Sequence, residues 1–140
     1  MSDQPQILVV DDNETLVQVL KLQLEALEMR VCTALDGFEA LRALLRQHID
    51  LVVADYHMPG VDGNDLLSTL RNDDRYKSLP VILITGAGYE LDTQRFKAQY
   101  NLSAVFFKPL SVKEIVKAIS TALARPQPKA LHRYGDLVLG

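Results

Sequence analysis

Cysteine occurs once among the 140 residues, at Cys32, so the chain can close no internal disulfide and build no cysteine-based zinc site. That usage suits a reducing compartment. Long apolar runs are also missing. Ile7–Val10 is too short for a signal-peptide core or a membrane span, and it ends at the paired carboxylates Asp11 and Asp12. An excess of basic residues is absent: Lys plus Arg number 15 against 18 Asp plus Glu, for a net charge of -3. A constitutive nucleic-acid binder would show a basic face, and a polybasic membrane anchor would show a basic cluster. The expectation is therefore a cytoplasmic protein, with no membrane contact and no nucleic acid bound by this chain alone. What remains is ordinary for a globular domain: 48% hydrophobic and 24% charged residues in 15.6 kDa. One domain fills that length, and a second full domain does not fit beside it.

Five short apolar runs punctuate the chain: Ile7–Val10, Arg30–Ala34, Leu51–Ala54, Val81–Ile84 and Ala104–Phe107. All but the second are unbroken rather than alternating, and they are rich in β-branched residues. Strands buried on both faces of a parallel sheet read this way. Helical periods lie between them. Leu16, Val19, Leu20, Leu24 and Leu27 mark the first helix, and Phe38, Leu41, Leu44 and Leu45 the second. Leu66, Leu67 and Leu70 mark the third. The fourth, about residues 91–100, is polar and poorly patterned. The fifth is the clearest, with Ile115, Val116, Ile119, Ala122 and Leu123 on one stripe and Ser111 placed to cap it. A βα unit repeated five times predicts a doubly wound α/β sheet with helices on both faces.

In such folds chemistry gathers at the carboxyl ends of the strands. Asp11 and Asp12 follow the first strand, Asp55 the third, Thr85 the fourth and Lys108 the fifth. Two carboxylates ~4 Å apart repel by ~4 kcal/mol at an effective dielectric of ~20, so three together call for a cation. Hard oxygen donors with a partly open shell suit Mg²⁺. A carboxylate nucleophile, Mg²⁺, a hydroxyl and an ammonium form a set fitted to phosphoryl transfer: the cations neutralise the transferring oxygens while the carboxylate attacks.

The segments ILVVDDN at 7–13, DLVVADYHMPGVDG at 50–63, PVILITG at 80–86 and FFKP at 106–109 resemble the receiver domain of two-component response regulators. The likeness runs from about residue 5 to 124. It implies a flavodoxin-like fold, a five-stranded parallel sheet of order 2-1-3-4-5 with five helices. It also implies transfer of a phosphoryl group from the phosphohistidine of a sensor histidine kinase or phosphotransfer protein. By position, Asp55 would be the acceptor. Asp12 would be the direct Mg²⁺ ligand, Asp11 would act largely through water, and His57 would lend its backbone carbonyl to the metal. Thr85 would be the switch hydroxyl and Lys108 the partner of the acceptor. The Lys108-Pro109 peptide would be cis. A signalling domain that assists its own phosphorylation and dephosphorylation is implied, rather than an enzyme with a separate substrate. The output face would be helix four, strand five and helix five, which could also form a homodimer. Two positions depart from the family pattern: Val105 stands where an aromatic switch residue is usual, and Gly86 where alanine is commoner.

Blander roles exist for the same residues. Asp11 or Asp12 could cap the first helix, Asp62 the third, and Cys32 could be buried filler. Gly60 and Gly63 read as backbone devices in the loop after Asp55. Three rival functions can be weighed. A haloacid-dehalogenase-type phosphatase needs a second aspartate two residues after its nucleophile, where this chain has His57. A flavodoxin-like redox carrier needs a phosphate cradle where this chain has two aspartates. A phosphorylation-independent binding module on the same fold would leave the acidic and lysine set without a role. The expected domain is residues 1–124, and Pro126 and Pro128 forbid continuing the last helix into 125–140. Tyr134–Leu139 is similar to the opening strand of the winged-helix domain of many transcriptional regulators, so the tail either opens an output domain or trails a stand-alone receiver.

Overall fold

The computed structural model describes residues 4–58, 60–86 and 92–124. The tail at 125–140, together with Pro59 and Leu91, lies outside the described residues. Strands and helices alternate: β1 (Gln6–Val10), α1 (Glu14–Ala26), β2 (Arg30–Ala34), α2 (Gly37–Arg46), β3 (Leu51–Asp55), α3 (Gly63–Arg71), β4 (Val81–Thr85), α4 (Thr93–Tyr100), β5 (Ala104–Phe107) and α5 (Val112–Ala124). The sheet order is β2-β1-β3-β4-β5, and every pairing is parallel. The three central strands are buried along their whole length, while β2 and β5 at the edges are half-exposed.

Helices cover both faces. Ala40, Ala43 and Leu44 of α2 join Leu66, Leu67 and Leu70 of α3 and Tyr100 of α4 in one cluster. Val17, Leu20 and Leu24 of α1 join Ile115, Ile119 and Ala122 of α5 in the other. Each fully buried leucine or isoleucine contributes ~1.5–3 kcal/mol of apolar transfer. Two helices bury a different stripe from the one expected. In α1 the core takes Val17, while Val19 and Leu27 face outward. In α2 the sheet accepts the small residues Gly37, Ala40 and Ala43, and Phe38 and Leu45 are more than 60% exposed, at 61% and 64%. A Cβ on Gly37 would lie 2.4 Å from the Val61 carbonyl oxygen, so the first residue of α2 sits against the loop after β3 with no room for a side chain.

Caps set the helix starts. Asn13, not Asp11 or Asp12, caps α1 by accepting from Leu16 N at 3.1 Å. Asp36 caps α2 by accepting from Glu39 N, and the Glu39 carboxylate accepts from Leu35 N, one residue before the cap. Asp62 caps α3 and Ser111 caps α5, as expected. Asp92 caps α4, whose only buried residue is Tyr100.

Candidate functional site

Parallel register brings the strand ends level. Val10 pairs with Ala54, Asp55 with Ile84, and Thr85 with Phe107. The sheet order turns back between β1 and β3, so the residues after these two strands line the crevice where the chain leaves in opposite directions. Asp11 is 1% exposed and Asp55 2% exposed, while Asp12 projects into solvent. Carboxylate oxygens from all three lie within 4.8 Å of one another.

Lys108 bridges the two buried carboxylates, with Nζ 3.2 Å from Asp11 Oδ2 and 3.4 Å from Asp55 Oδ2. Its backbone N–H donates to the Thr85 carbonyl at 2.9 Å, which fixes the end of β5 on the end of β4. The Lys108-Pro109 peptide is cis. Asp55 Oδ1 accepts from His57 N at 3.3 Å, and Asp11 Oδ1 accepts from Asn13 N at 2.9 Å. Asp11 Oδ2 is buried and meets no hydrogen-bond criterion among the described residues; the Lys108 ammonium is its ion-pair partner.

The electrostatics follow from this geometry. Burial, reinforced by the Asp11 charge, pushes the Asp55 carboxyl up, against the opposing pull of Lys108 and the His57 N–H. Burial alone would lower the Lys108 ammonium, but Asp55 and Asp11 outweigh it and hold the group above its ordinary value. One ammonium cannot neutralise three carboxylates. Each pair of them at this spacing repels by roughly 3–4 kcal/mol at an effective dielectric of ~20. The all-oxygen donor set, the orphaned Asp11 Oδ2 and the open side at Asp12 together suit a hard divalent cation such as Mg²⁺.

Every residue picked at a strand end meets at this edge. Thr85 is fully buried at the end of β4. The His57 side chain is exposed, its ring edge-on to Tyr56 at 4.9 Å. The loop after Asp55 closes tightly: Gly63 N donates to the Tyr56 carbonyl at 2.8 Å, and a Cβ on Gly63 would lie 2.5 Å from Tyr56 Cα. Gly60 sits at φ 74°, a conformation that favours glycine. Cys32 is half-buried on β2 and takes a contact from Gln47 Nε2 at 3.1 Å. Val105 packs against the cluster beneath α3 and α4, whereas Phe106 faces the α1–α5 side.

Comparison with known proteins agrees with this geometry. The family model described as "response regulator receiver domain" matches residues 7–120. The chain is 35% identical over 138 residues to the phosphate regulon transcriptional regulatory protein PhoB of Rhizobium meliloti, covering 96% of this chain and 60% of that protein. It is 29% identical to protein PilG of Pseudomonas aeruginosa, covering 84% of this chain and 87% of the relative. Among solved structures, the non-phosphorylated HemR receiver domain from Leptospira biflexa superposes with a TM-score of 0.80 at 27% identity, over 89% of this chain and 98% of that one. The chain thus spans less than two thirds of the PhoB relative but nearly all of an isolated receiver domain.

The chain belongs to the response regulator receiver family, and is a receiver domain of the two-component type. Such domains signal through histidine kinases or phosphotransfer proteins and are not enzymes in the ordinary sense. Among the described residues no helix is long and apolar enough to cross a membrane.

Proposed function

We propose that the domain takes a phosphoryl group from a phosphohistidine onto Asp55. The observation that carries this reading is the buried Asp55 carboxylate, ending a central strand beside Asp11 and Asp12 and held by Lys108. An Asp55 carboxylate oxygen forms the new bond to phosphorus. The phosphorus–nitrogen bond breaks, and its electron pair returns to the donor imidazole. Asp12, Asp11, Asp55 and the His57 carbonyl would hold Mg²⁺, which supplies charge neutralisation for the transferring oxygens. Lys108 leaves the Asp55 carboxylate for the incoming phosphoryl oxygens, and the Thr85 hydroxyl donates to the same anion. Water admitted beside His57 then hydrolyses the acyl phosphate, so the domain limits its own signal.

The receiver unit occupies residues 1–124, with 125–140 a linker or tail. The face made by α4, β5 and α5 presents the change to an output domain or a second copy. The name of the PhoB relative fits an output on transcription, exercised by a part outside this chain, within a cytoplasmic two-component pathway. Incubation with acetyl phosphate and Mg²⁺ should add one phosphoryl group by intact mass, and Asp55→Asn should abolish it. Equal labelling of the variant would refute the assignment, and no labelling of either would favour a phosphorylation-independent binding module.

A further inference from the structure

One edge of the sheet is open, and a helix lays arginines beside it. β2 pairs with β1 alone, so no strand covers its outer side among the described residues. The backbone groups of successive residues turn to opposite sides of a strand. Arg30 N donates to the Pro5 carbonyl, and the Ala34 carbonyl accepts from Asp11 N, so Arg30, Cys32 and Ala34 turn toward β1. The N–H and C=O groups of Val31 and Thr33 therefore point outward with no strand to meet them. The next outward donor, Leu35 N, is taken by the Glu39 carboxylate at 3.0 Å, which closes the open stretch at its far end. Neither a proline nor a bulge blunts this edge.

The side chains beside it favour one sign of charge. Thr33 and the α2 residues Glu39, Arg42, Ala43 and Arg46, with Gln47 just after the helix, line a cleft of about 350 Å³. Arg42 and Arg46 are exposed. Neither they nor Arg30, at the start of β2, have a carboxylate within ion-pair distance among the described residues. The one acid of the cleft, Glu39, is committed to Leu35 N. Gln47 reaches Cys32 Sγ at 3.1 Å and the Gln6 amide, and so ties the end of α2 to β2 and β1. Spacing adds to charge. Four residues of a helix rise ~6 Å, and two residues of a strand ~6.6 Å. Arg42 and Arg46 are thus set to meet alternate side chains of one added strand.

We propose that the outer edge of β2 docks an extended acidic segment of a partner protein, which adds as a sixth strand through Val31 and Thr33 while its alternate carboxylates meet Arg42 and Arg46. The backbone bonds supply a grip that any extended chain could use, and the guanidiniums select an acidic one. The cleft uses no residue of the carboxylate site, so this surface stands apart from the phosphoryl-acceptor reading.

The test uses the full chain and a short capped peptide of alternating valine and glutamate. Its controls are the valine–lysine counterpart and a valine–glutamate peptide N-methylated at every residue, which keeps the charge and lacks the backbone donors. In amide NMR the glutamate peptide should displace the Val31 and Thr33 resonances and slow their hydrogen exchange, the mark of a strand added at this edge. Arg42→Gln combined with Arg46→Gln should weaken its binding by about tenfold and leave the thermal melt unchanged, since both positions are exposed. Arg42→Glu combined with Arg46→Glu should transfer the preference to the lysine peptide. Binding that ignores these substitutions, or that the lysine peptide shares with the wild type, overturns the acidic partner. Equal binding of the N-methylated peptide overturns strand addition and leaves an electrostatic patch only. A glutamate peptide that fails to bind at millimolar concentration overturns the proposal as a whole.

Discussion

Asp55 is buried between charges of opposite sign, and burial with the Asp11 charge prevails over Lys108. Its folded-state pKa therefore lies above the unfolded value. A carboxyl shifted this way binds its proton more tightly in the folded chain. Its contribution to stability is fully present below the unfolded pKa and is lost as pH rises through the raised folded value. Above that raised folded value, without divalent cations, the ionised group opposes folding. Asp55→Asn should then raise stability in EDTA by about 1 kcal/mol in urea titration, and the gain should shrink as pH falls toward the acid range. A loss of stability at pH 7 would show that the Lys108 contact dominates instead. Lys108→Ala removes the ammonium that bridges Asp11 and Asp55, and because that ammonium is partly exposed the loss should be ~1–2 kcal/mol, below the scale of a fully buried pair.

At the scale of elements, the half-buried Arg71 guanidinium donates to the carbonyls of Tyr100 at 2.8 Å, Tyr76 at 2.8 Å and Asn101 at 3.4 Å, so it ties α3 to the end of α4 and to the loop before β4. Burial lowers the pKa of its guanidinium, but the charge persists because three carbonyls receive it. Arg71→Met keeps the stem and removes one donor from each of those carbonyls, of which that of Tyr76 retains the Leu79 amide. We expect ~2–3 kcal/mol of destabilisation by denaturant titration, with hydrogen-exchange protection lost first in α4. An effect under ~0.5 kcal/mol would mean that water replaces the guanidinium at no cost.

The same scale shows what could be read from the chain. The central strands were legible because a strand buried on both faces must be apolar throughout, and the site because its residues directly follow those strands. The buried face of α2 was not: Ala40 and Ala43 turn inward with Leu44, while the larger Phe38 and Leu45 stay outside. Nor was the edge-on contact of Tyr56 with Phe96 and of Phe96 with Tyr100, since Tyr56 and Phe96 are far apart in sequence and meet only once β3 and α4 have packed. The alternation of β5 turns Val105 toward the α3 and α4 side and gives the other side to Phe106.

For the whole molecule, a cation held at the acidic edge would couple its binding to folding. Three carboxylates converge only in the folded chain, so Mg²⁺ held by them should stabilise that state by RT ln(1 + [Mg²⁺]/Kd), about 2.7 kcal/mol at ~100 times Kd. At this chain length that is roughly an 8 °C rise in Tm. The two N-terminal aspartates separate under this test. Asp11 accepts the Asn13 amide at the start of α1 and pairs with Lys108, so Asp11→Ala should lower stability even in EDTA, by ~1–2 kcal/mol. Asp12 is exposed, and its removal should leave EDTA stability within about 0.5 kcal/mol of the wild type. If Asp12 is the direct ligand, Asp12→Ala should nevertheless erase most of the Mg²⁺-induced rise in Tm, a loss that a purely structural aspartate would not produce. Thermal melts of both variants with and without Mg²⁺ decide the matter. A full Mg²⁺ response in Asp12→Ala would move the direct ligand to Asp11 and Asp55, and a wild type that ignores Mg²⁺ would remove the metal from the mechanism.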